Sequence, residues 1–469
     1  MVTMYKSKFA VFLFSLLLCG CISTEKKEII YCSTTPFEQF KEGQKILILA
    51  PHPDDEAIAC AGIIQQALKA KARVKVVYLT NGDHNELAFI VYEKRLTVRR
   101  GEFIHMGEVR RKESIQAMKF LGLSEDDLVF LGYPDYGTFE IFCKYWQTKI
   151  PFRDRLTRIS SVPYKENPSY QAPYYGESIL KDLTNQLLDY KPDAIFVSHP
   201  ADVNVDHKSL YLFLQVALSD LGGIIPSPKV YPYLVHAVGW PKPRHYHPEM
   251  ELHPPDKFLN SKIEWLRFDL DFEQLGKKYR SLFFYKSQTE SSAFYLFSFA
   301  RENELFGDYP VLKLAPQSLQ DKIISYFGAQ EMFKETEHPQ EFNEFEVVEE
   351  NGSVSYALLE NYFLVRVDKP KKLSSRFGTL LYIFGYSKDK PFAQMPKIRI
   401  YTKGKKVEVF NLKTRVVDHG VILEVGHDYL NLKIPLKLLG GPDYLLTSLK
   451  SYHDRLPIDI VGFRKIEVK

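Results

Sequence analysis

The alternation of apolar and amphipathic segments after residue 44 constrains the fold of this 469-residue chain more than any other feature. Short apolar runs, typical of buried strands, alternate with longer segments whose apolar residues recur at helical spacing. Strands joined by helices pair in parallel, and the helices cover the sheet. We therefore predict an α/β fold with a Rossmann-like, mostly parallel sheet and helices on both faces. The predicted strands are Lys45–Ala50, Val74–Thr80, Leu128–Leu131, Ala194–Ser198 and Val230–His236, and the predicted helices are Ala57–Lys71, Glu108–Leu121, Ser178–Asp189 and Asp206–Leu221.

The first residues have the pattern of a bacterial lipoprotein signal. Two lysines precede the apolar run Phe9–Leu18, whose 10 residues are about half of what a helix needs to span a bilayer. A small residue before Cys21 resembles the lipobox, in which the cysteine is acylated through its thiol. We predict a signal peptide at 1–20, a membrane anchor at Cys21, a tether at 21–43 and an extracytoplasmic location, in the outer membrane or facing the periplasm. The alternative is an ordinary cleaved signal with an incidental cysteine.

The size and charge of the chain bound its organisation. Without residues 1–20 it is still longer than one hydrophobic core normally organises, so at least two domains are expected. The net charge of +4 is small for this length and argues against a nucleic-acid partner. We predict an α/β domain at 44–340 and a second domain at 341–469, and the sequence makes no prediction of oligomeric state.

Residues 341–469 have the pattern of an all-β domain. Short stretches of alternating apolar and polar residues predict a β-sandwich. Its segments Tyr429–Ile434 and Leu456–Arg464 resemble a β-sandwich carbohydrate-binding module, and a packing or oligomerisation domain is the alternative. The predicted strands are Tyr362–Val367, Thr379–Gly385, Lys397–Thr402 and Val421–Val425.

Ionisable side chains are concentrated where the first predicted strand ends, in the segment Pro51–Glu56. The carboxyl ends of strands in an open α/β sheet face the ligand crevice. Acidic groups placed so densely there would repel one another unless a cation were present. Zinc accepts imidazole nitrogen and carboxylate oxygen, and a catalytic zinc has about three protein ligands and one open position. His52 and Asp55 are therefore predicted as two ligands of a zinc ion.

The third predicted ligand follows another strand, Ala194–Ser198. His207 lies in the first turn of the next predicted helix, and Asp206 is placed to orient an imidazole from outside the ligand set. His207 alone would be read as a surface or capping histidine. Because both clusters fall at carboxyl ends of strands in one sheet, a metal site of His52, Asp55 and His207 is the better interpretation.

The two clusters resemble motifs of the PIG-L/LmbE family of zinc-dependent N-acetylglucosaminyl deacetylases. The first is PHPDDE at 51–56 and the second is NVDHKS at 204–209. The resemblance covers roughly Lys45–Pro310. It extends to Thr80–Asp83, Arg110–Glu113 with Leu121 and Gly122, Gly132–Asp135 and Tyr285–Gln288.

This resemblance implies a hydrolase that removes the acetyl group from an amino sugar, with Asp54 as general base and Arg110 and Asp135 as substrate-binding residues. Several family members have a histidine three residues before the last ligand, where this chain has Asn204. An amide can donate a hydrogen bond to the oxyanion but cannot act as an acid. We predict that Asn204 has the oxyanion role, with His199 as the alternative.

Joining the site to the predicted location indicates the substrate, an N-acetylated glycan of the envelope or the environment. The long segment Pro134–Gly176 contains arginines and tyrosines and is either a functional loop or a structured insertion. The main alternative function is a catalytically silent lipoprotein that binds glycans through the same metal crevice. A nucleotide-binding protein is disfavoured, because no glycine-rich phosphate loop follows the first strand.

Overall fold

The computed structural model describes residues 32–84, 99–258, 261–314, 333–337, 352–359, 361–369, 372–454 and 456–468. The predicted signal peptide, Cys21 and the predicted domain boundary at 340 lie outside these residues. None of the helices in the described ranges is long and apolar enough to cross a bilayer.

A five-stranded parallel sheet in the order β4-β3-β2-β5-β6 is the centre of the fold. From β2 the chain first builds outward through β3 and β4, and then continues on the other side of β2 with β5 and β6. This reversal makes the gap between β2 and β5 the topological switch point, where α/β proteins bind their ligands. The strands are β2 Lys45–Ala50, β3 Arg73–Thr80, β4 Leu128–Tyr133, β5 Ala194–Ser198 and β6 Lys229–Tyr233.

Helices cover both faces of this sheet, as predicted. Alternate residues of β2 enter different cores: Ile46 and Ile48 pack on one face, Leu47 and Leu49 on the other. Two such buried faces explain why the strands are mostly apolar on both sides. The helices are α1 Asp55–Lys69, α2 Arg100–Leu121, α3 Thr138–Lys144, α4 Gly176–Tyr190, α5 Val205–Asp220, α6 Phe272–Leu282 and α7 Lys286–Leu296, with 3₁₀ turns at Glu125–Asp127, Asp256–Phe258, Phe297–Phe299, Phe392–Gln394 and Leu436–Leu439.

The end of the predicted tether is a strand, so that prediction is wrong for this part. β1 (Thr34–Pro36) pairs in parallel with β7 (Trp265–Asp269), which also pairs with β8 (Asn303–Phe306). Phe37 follows β1, and its ring packs at 5.4 Å from that of Phe268. Burial of this aromatic side chain explains why the segment is ordered against the core.

The segment Pro134–Gly176 is a structured insertion. It contains α3, and its aromatic side chains Trp146, Tyr164 and Tyr174 are buried in the core on one face of the sheet. Its arginines 153, 155 and 158 remain exposed.

Two sheets follow, antiparallel except for the parallel pairing of β9 with β21, and they confirm the predicted β-sandwich. One has the order β10-β11-β12-β18-β17 and the other β16-β15-β14-β13-β19-β21-β9, with β20 beside β19. Both contribute to a shared core, which includes Val365 and Leu432 of the first sheet and Leu381 of the second. The strands are β9 Leu312–Lys313, β10 Phe333–Glu337, β11 Gly352–Leu359, β12 Tyr362–Asp368, β13 Phe377–Tyr386, β14 Lys397–Lys403, β15 Lys406–Asn411, β16 Thr414–Val416, β17 Ile422–Val425, β18 Tyr429–Pro435, β19 Tyr444–His453, β20 Leu456–Ile460 and β21 Arg464–Glu467.

The second of these sheets packs directly on the α/β part. The Phe142 ring on α3 lies 5.1 Å from that of Phe384 on β13, and the Phe139 ring lies 5.8 Å from that of Phe463. These aromatic side chains belong to the same core as the strands β2 and β5. The sandwich and the α/β part therefore share a hydrophobic core.

We expect Phe142→Ala to lower the free energy of unfolding by about 3–5 kcal/mol, because truncation of a buried aromatic side chain leaves a cavity. Denaturant unfolding measures this change. The control is Phe272→Ala, whose side chain is 94% exposed and whose loss should change the free energy by less than about 0.5 kcal/mol. Equal effects of the two substitutions would contradict the shared core.

Candidate metal centre

The predicted ligands His52, Asp55 and His207 meet at the switch point between β2 and β5. The Asp55 carboxylate lies between the two imidazoles, with Oδ2 3.3 Å from His52 Nδ1 and 3.1 Å from His207 Nε2. The donor atoms of the three residues all lie within 4.8 Å of one another, and the side chains are buried. The structure therefore brings together the three residues that the sequence assigned to the metal.

Asp202 orients His207 from the side opposite to Asp55. Its Oδ2 atom lies 3.1 Å from His207 Nδ1. The same oxygen accepts hydrogen bonds from the backbone N–H groups of Val235 (3.1 Å) and His236 (2.8 Å). A carboxylate behind a ligating imidazole fixes the ring and its tautomer, so Asp202 has the position of a second-layer partner.

His52 has carboxylates on its other side as well. Its Nε2 atom lies 3.1 Å from Asp135 Oδ1 and 3.3 Å from Asp206 Oδ2. Asp206 in turn accepts hydrogen bonds from the backbone N–H groups of Tyr136 (2.5 Å) and Thr138 (3.2 Å). Asp206 thus orients an imidazole, as predicted, whereas Asp135, predicted to bind substrate, lies against His52. The donor atoms of His52, Asp135 and Asp206 are also close enough together to hold a cation.

The charges around these donors fit a divalent cation. Burial by itself would lower the pKa of both imidazoles, yet the adjacent carboxylates raise that of His207 to about 9 and that of His52 well above 6.5. Both His207 nitrogens and Asp135 Oδ1 are buried without an aligned hydrogen bond. Buried carboxylates at this density require a compensating positive charge. Imidazole nitrogens with a carboxylate oxygen are ligands that zinc prefers.

Asp54 lies beside the proposed ligands and is held by Arg110. The Arg110 guanidinium donates hydrogen bonds to Asp54 Oδ2 (3.1 Å), to the Pro53 carbonyl (2.7 Å) and to the Gly82 carbonyl (3.0 Å). The backbone of Asp54 has a φ of 128°, a strained conformation for a residue with a side chain. Burial raises the pKa of Asp54 to about 7, against the opposing effect of Arg110. Arg110, predicted to bind substrate, is buried and fixes the turn that carries Asp54.

The two residues predicted as alternatives for the oxyanion lie in different surroundings. Asn204 caps α5, since its Oδ1 atom accepts a hydrogen bond from the Asp206 N–H group at 2.8 Å. His199 is fully buried and packs among aromatic rings, 5.7 Å from that of Trp265 and 5.1 Å from that of Tyr309. Of the two, Asn204 and not His199 caps the helix that carries His207.

Sequence reasoning did not assign a role to His236. Its ring lies 4.8 Å from that of His207, and Tyr295 stacks on it at 5.7 Å. Burial lowers the pKa of His236 to about 4. Its place at the end of the predicted strand Val230–His236 was an available signal, because the other site residues also follow strand ends.

A cavity of about 520 Å³ opens beside the metal donors. Its wall includes Asp135 and Tyr136, together with His84, Asp154 and Arg155. Asp135, which contacts His52, therefore separates part of this cavity from the predicted ligands. Charged side chains line the cavity beside the rings of Tyr136 and Phe152, so it offers both hydrogen-bonding groups and aromatic surface to a ligand.

Residues 47–218 match the sequence profile of the PIG-L family, described as GlcNAc-PI de-N-acetylase. This region of the chain is a PIG-L family domain. It contains every residue that the sequence analysis assigned to the site. Comparison with curated proteins gives no significant match.

Several solved structures are similar to this chain. One is the N,N'-diacetylchitobiose deacetylase from Pyrococcus horikoshii, with 18% identity and a TM-score of 0.31 over 52% of this chain and 70% of that one. Another is the A40926 pseudoaglycone deacetylase Dbv21, with 16% identity and a TM-score of 0.35 over 57% of this chain and 97% of that one. A third is the 4-carboxy-2-hydroxymuconate hydratase GalB from Pseudomonas putida KT2440, with 18% identity and a TM-score of 0.33 over 55% of this chain and 82% of that one.

We expect the purified chain to bind about one zinc ion through the PIG-L domain, because three donors converge on one point. The double substitution His52→Ala and His207→Ala should abolish this binding, as measured by metal analysis after dialysis. The matched control is His105→Ala, which removes an exposed imidazole. Undiminished zinc in the double variant would place the metal elsewhere.

Proposed function

We propose that this chain is a zinc-dependent N-deacetylase that hydrolyses the acetamide of an N-acetylated amino sugar. The observation that carries the proposal is the convergence of His52, Asp55 and His207 at the switch point of a PIG-L domain. Asp54 is next to Asp55 in the chain and interacts electrostatically with Asp55 and His52. This arrangement combines a fitting metal donor set with an adjacent carboxylate that Arg110 holds in place.

A zinc ion held by His52, Asp55 and His207 would lower the pKa of a water ligand toward about 7 and polarise the amide carbonyl. The Asp54 carboxylate would accept a proton from the attacking water and return it to the leaving amine as the C–N bond breaks. Arg110 would hold the Asp54 carboxylate in place through its hydrogen bond. The Asn204 amide group would donate a hydrogen bond to the oxyanion that forms when water attacks the amide carbonyl. The products are acetate and the free amino sugar.

We extend the proposal to the place and class of the substrate. The N-terminal lipoprotein pattern supports an enzyme anchored at Cys21 outside the cytoplasm, facing the periplasm or in the outer membrane. Glycans of the envelope or the environment are the amino sugars available there. The polar cavity beside Asp135 is consistent with a sugar ring.

We expect Asp54→Asn to retain zinc and to reduce turnover by about 10² or more, because a neutral amide cannot accept the proton of water. Acetate release from N-acetylglucosamine and its oligomers measures the activity, and metal analysis confirms loading. The control is Asp126→Asn, the same change at an exposed position. Zinc binding by the wild type without acetate release from any N-acetylated sugar would favour the alternative, a non-catalytic glycan-binding lipoprotein.

The oxyanion role of Asn204 has its own test. Serine caps a helix about as well as asparagine, so Asn204→Ser should preserve the start of α5 while removing the amide donor. We expect turnover to fall by about 10² while the free energy of unfolding and the zinc content stay the same. Full activity of this variant would assign the oxyanion role to another donor. His236, whose ring lies 4.8 Å from that of His207, would then be the next residue to test.

A further inference from the structure

A groove of about 560 Å³ lies where α3 meets the β-sandwich. Its walls come from both parts of the chain: Glu140 and Tyr145 from the PIG-L side, and Arg399, Tyr401 and Phe410 from β14 and β15. None of the proposed catalytic or metal-binding residues lines it.

The groove shares a wall residue with the cavity that Asp135 lines. Glu140 on α3 lines both spaces, while Asp135 and Tyr136, which precede α3, lie at the end nearest the metal donors. The seven residues of α3 span about 10 Å, so a chain of a few sugar rings would reach from one space to the other.

The lining of the groove has the groups that bind sugar rings. Tyr401 and Phe410 are half-buried, and their rings meet edge to face at 5.6 Å. Such rings can pack against the apolar faces of pyranoses, while flanking polar side chains bind the hydroxyl groups.

Arg399 is the second, independent indication of a ligand. Its side chain is 7% exposed, and its guanidinium contacts the Tyr401 hydroxyl at 3.3 Å and the Leu412 carbonyl. Its Nε–H group is buried and has no hydrogen-bond partner. A buried donor without a partner is costly, so an acceptor from a bound ligand would satisfy it.

We propose that this groove binds further sugar residues of the N-acetylated glycan whose reacting sugar lies in the cavity beside the metal. The inference rests on the proposed function for the identity of the ligand. The C-terminal β-sandwich then completes an extended substrate cleft.

The test is titration calorimetry with the hexamer and the monosaccharide of N-acetylglucosamine. It uses the zinc-loaded full chain with Asp54→Asn, so that binding is measured without turnover. We expect Phe410→Ala to weaken hexamer binding about fivefold more than monosaccharide binding. Glu408→Trp, a change at an exposed groove residue, should have the same effect by filling the groove. The matched aromatic control, Phe272→Ala, should leave both affinities unchanged.

The outcomes separate the two proposals. Equal hexamer affinity in the groove variants and in the control, or no preference of the unsubstituted background for the hexamer, would overturn the groove proposal even if the wild type releases acetate. Hexamer binding that depends on Phe410 would support the groove even if no acetate is released, and the deacetylase proposal would then fail alone.

Discussion

The burial of several carboxylates at one point between β2 and β5 is the constraint on which the site depends. Charges removed from water are stable only where hydrogen bonds or opposite charges replace it. Asp202 accepts hydrogen bonds from two backbone N–H groups in the segment after β6, and Asp206 accepts two from Tyr136 and Thr138, before and at the start of α3. Each carboxylate also faces an imidazole. The strand ends and loops are thus arranged around this negative charge, and a divalent cation would complete its compensation.

The motifs that surround the site join the helices behind it through buried hydrogen bonds. Glu113 accepts hydrogen bonds from the Ser287 backbone N–H (2.8 Å) and hydroxyl (2.6 Å), which ties α2 to the start of α7. The Tyr285 hydroxyl donates at 2.5 Å to Glu56, in the first turn of α1. Arg110, one turn before Glu113, holds Asp54. These contacts join the helices α1, α2 and α7 behind the turn that bears the proposed base, so the family-like motifs position the reacting groups from a distance.

Much of this could be predicted from the sequence because it depends on local patterns. The strands Lys45–Ala50 and Ala194–Ser198 match the prediction residue for residue, and the metal donors follow from their strand ends. What the sequence missed depends on tertiary contacts. The strand at Thr34–Pro36 forms through pairing with β7, and the surroundings of Arg110 and His236 depend on residues distant in sequence. Helix α2 starts at Arg100, before its predicted start at Glu108. At that start the Glu102 carboxylate accepts a hydrogen bond from the Arg99 backbone N–H, a local helix-start signal that the prediction did not use.

The shared core changes how the C-terminal sandwich should be regarded. A separable module would leave a polar surface on the catalytic part when removed, but here the rings of Phe142 and Phe139 pack on Phe384 and Phe463. Deleting residues 341–469 would expose Phe142 and Phe139 to water and destabilise the PIG-L domain. A loss of activity in that variant would therefore say nothing about sugar binding. The contribution of the sandwich to the substrate cleft must therefore be measured with side-chain substitutions in the groove. Because β13 pairs with β14, and β14 with β15, the same packing also places the two strands that line the groove.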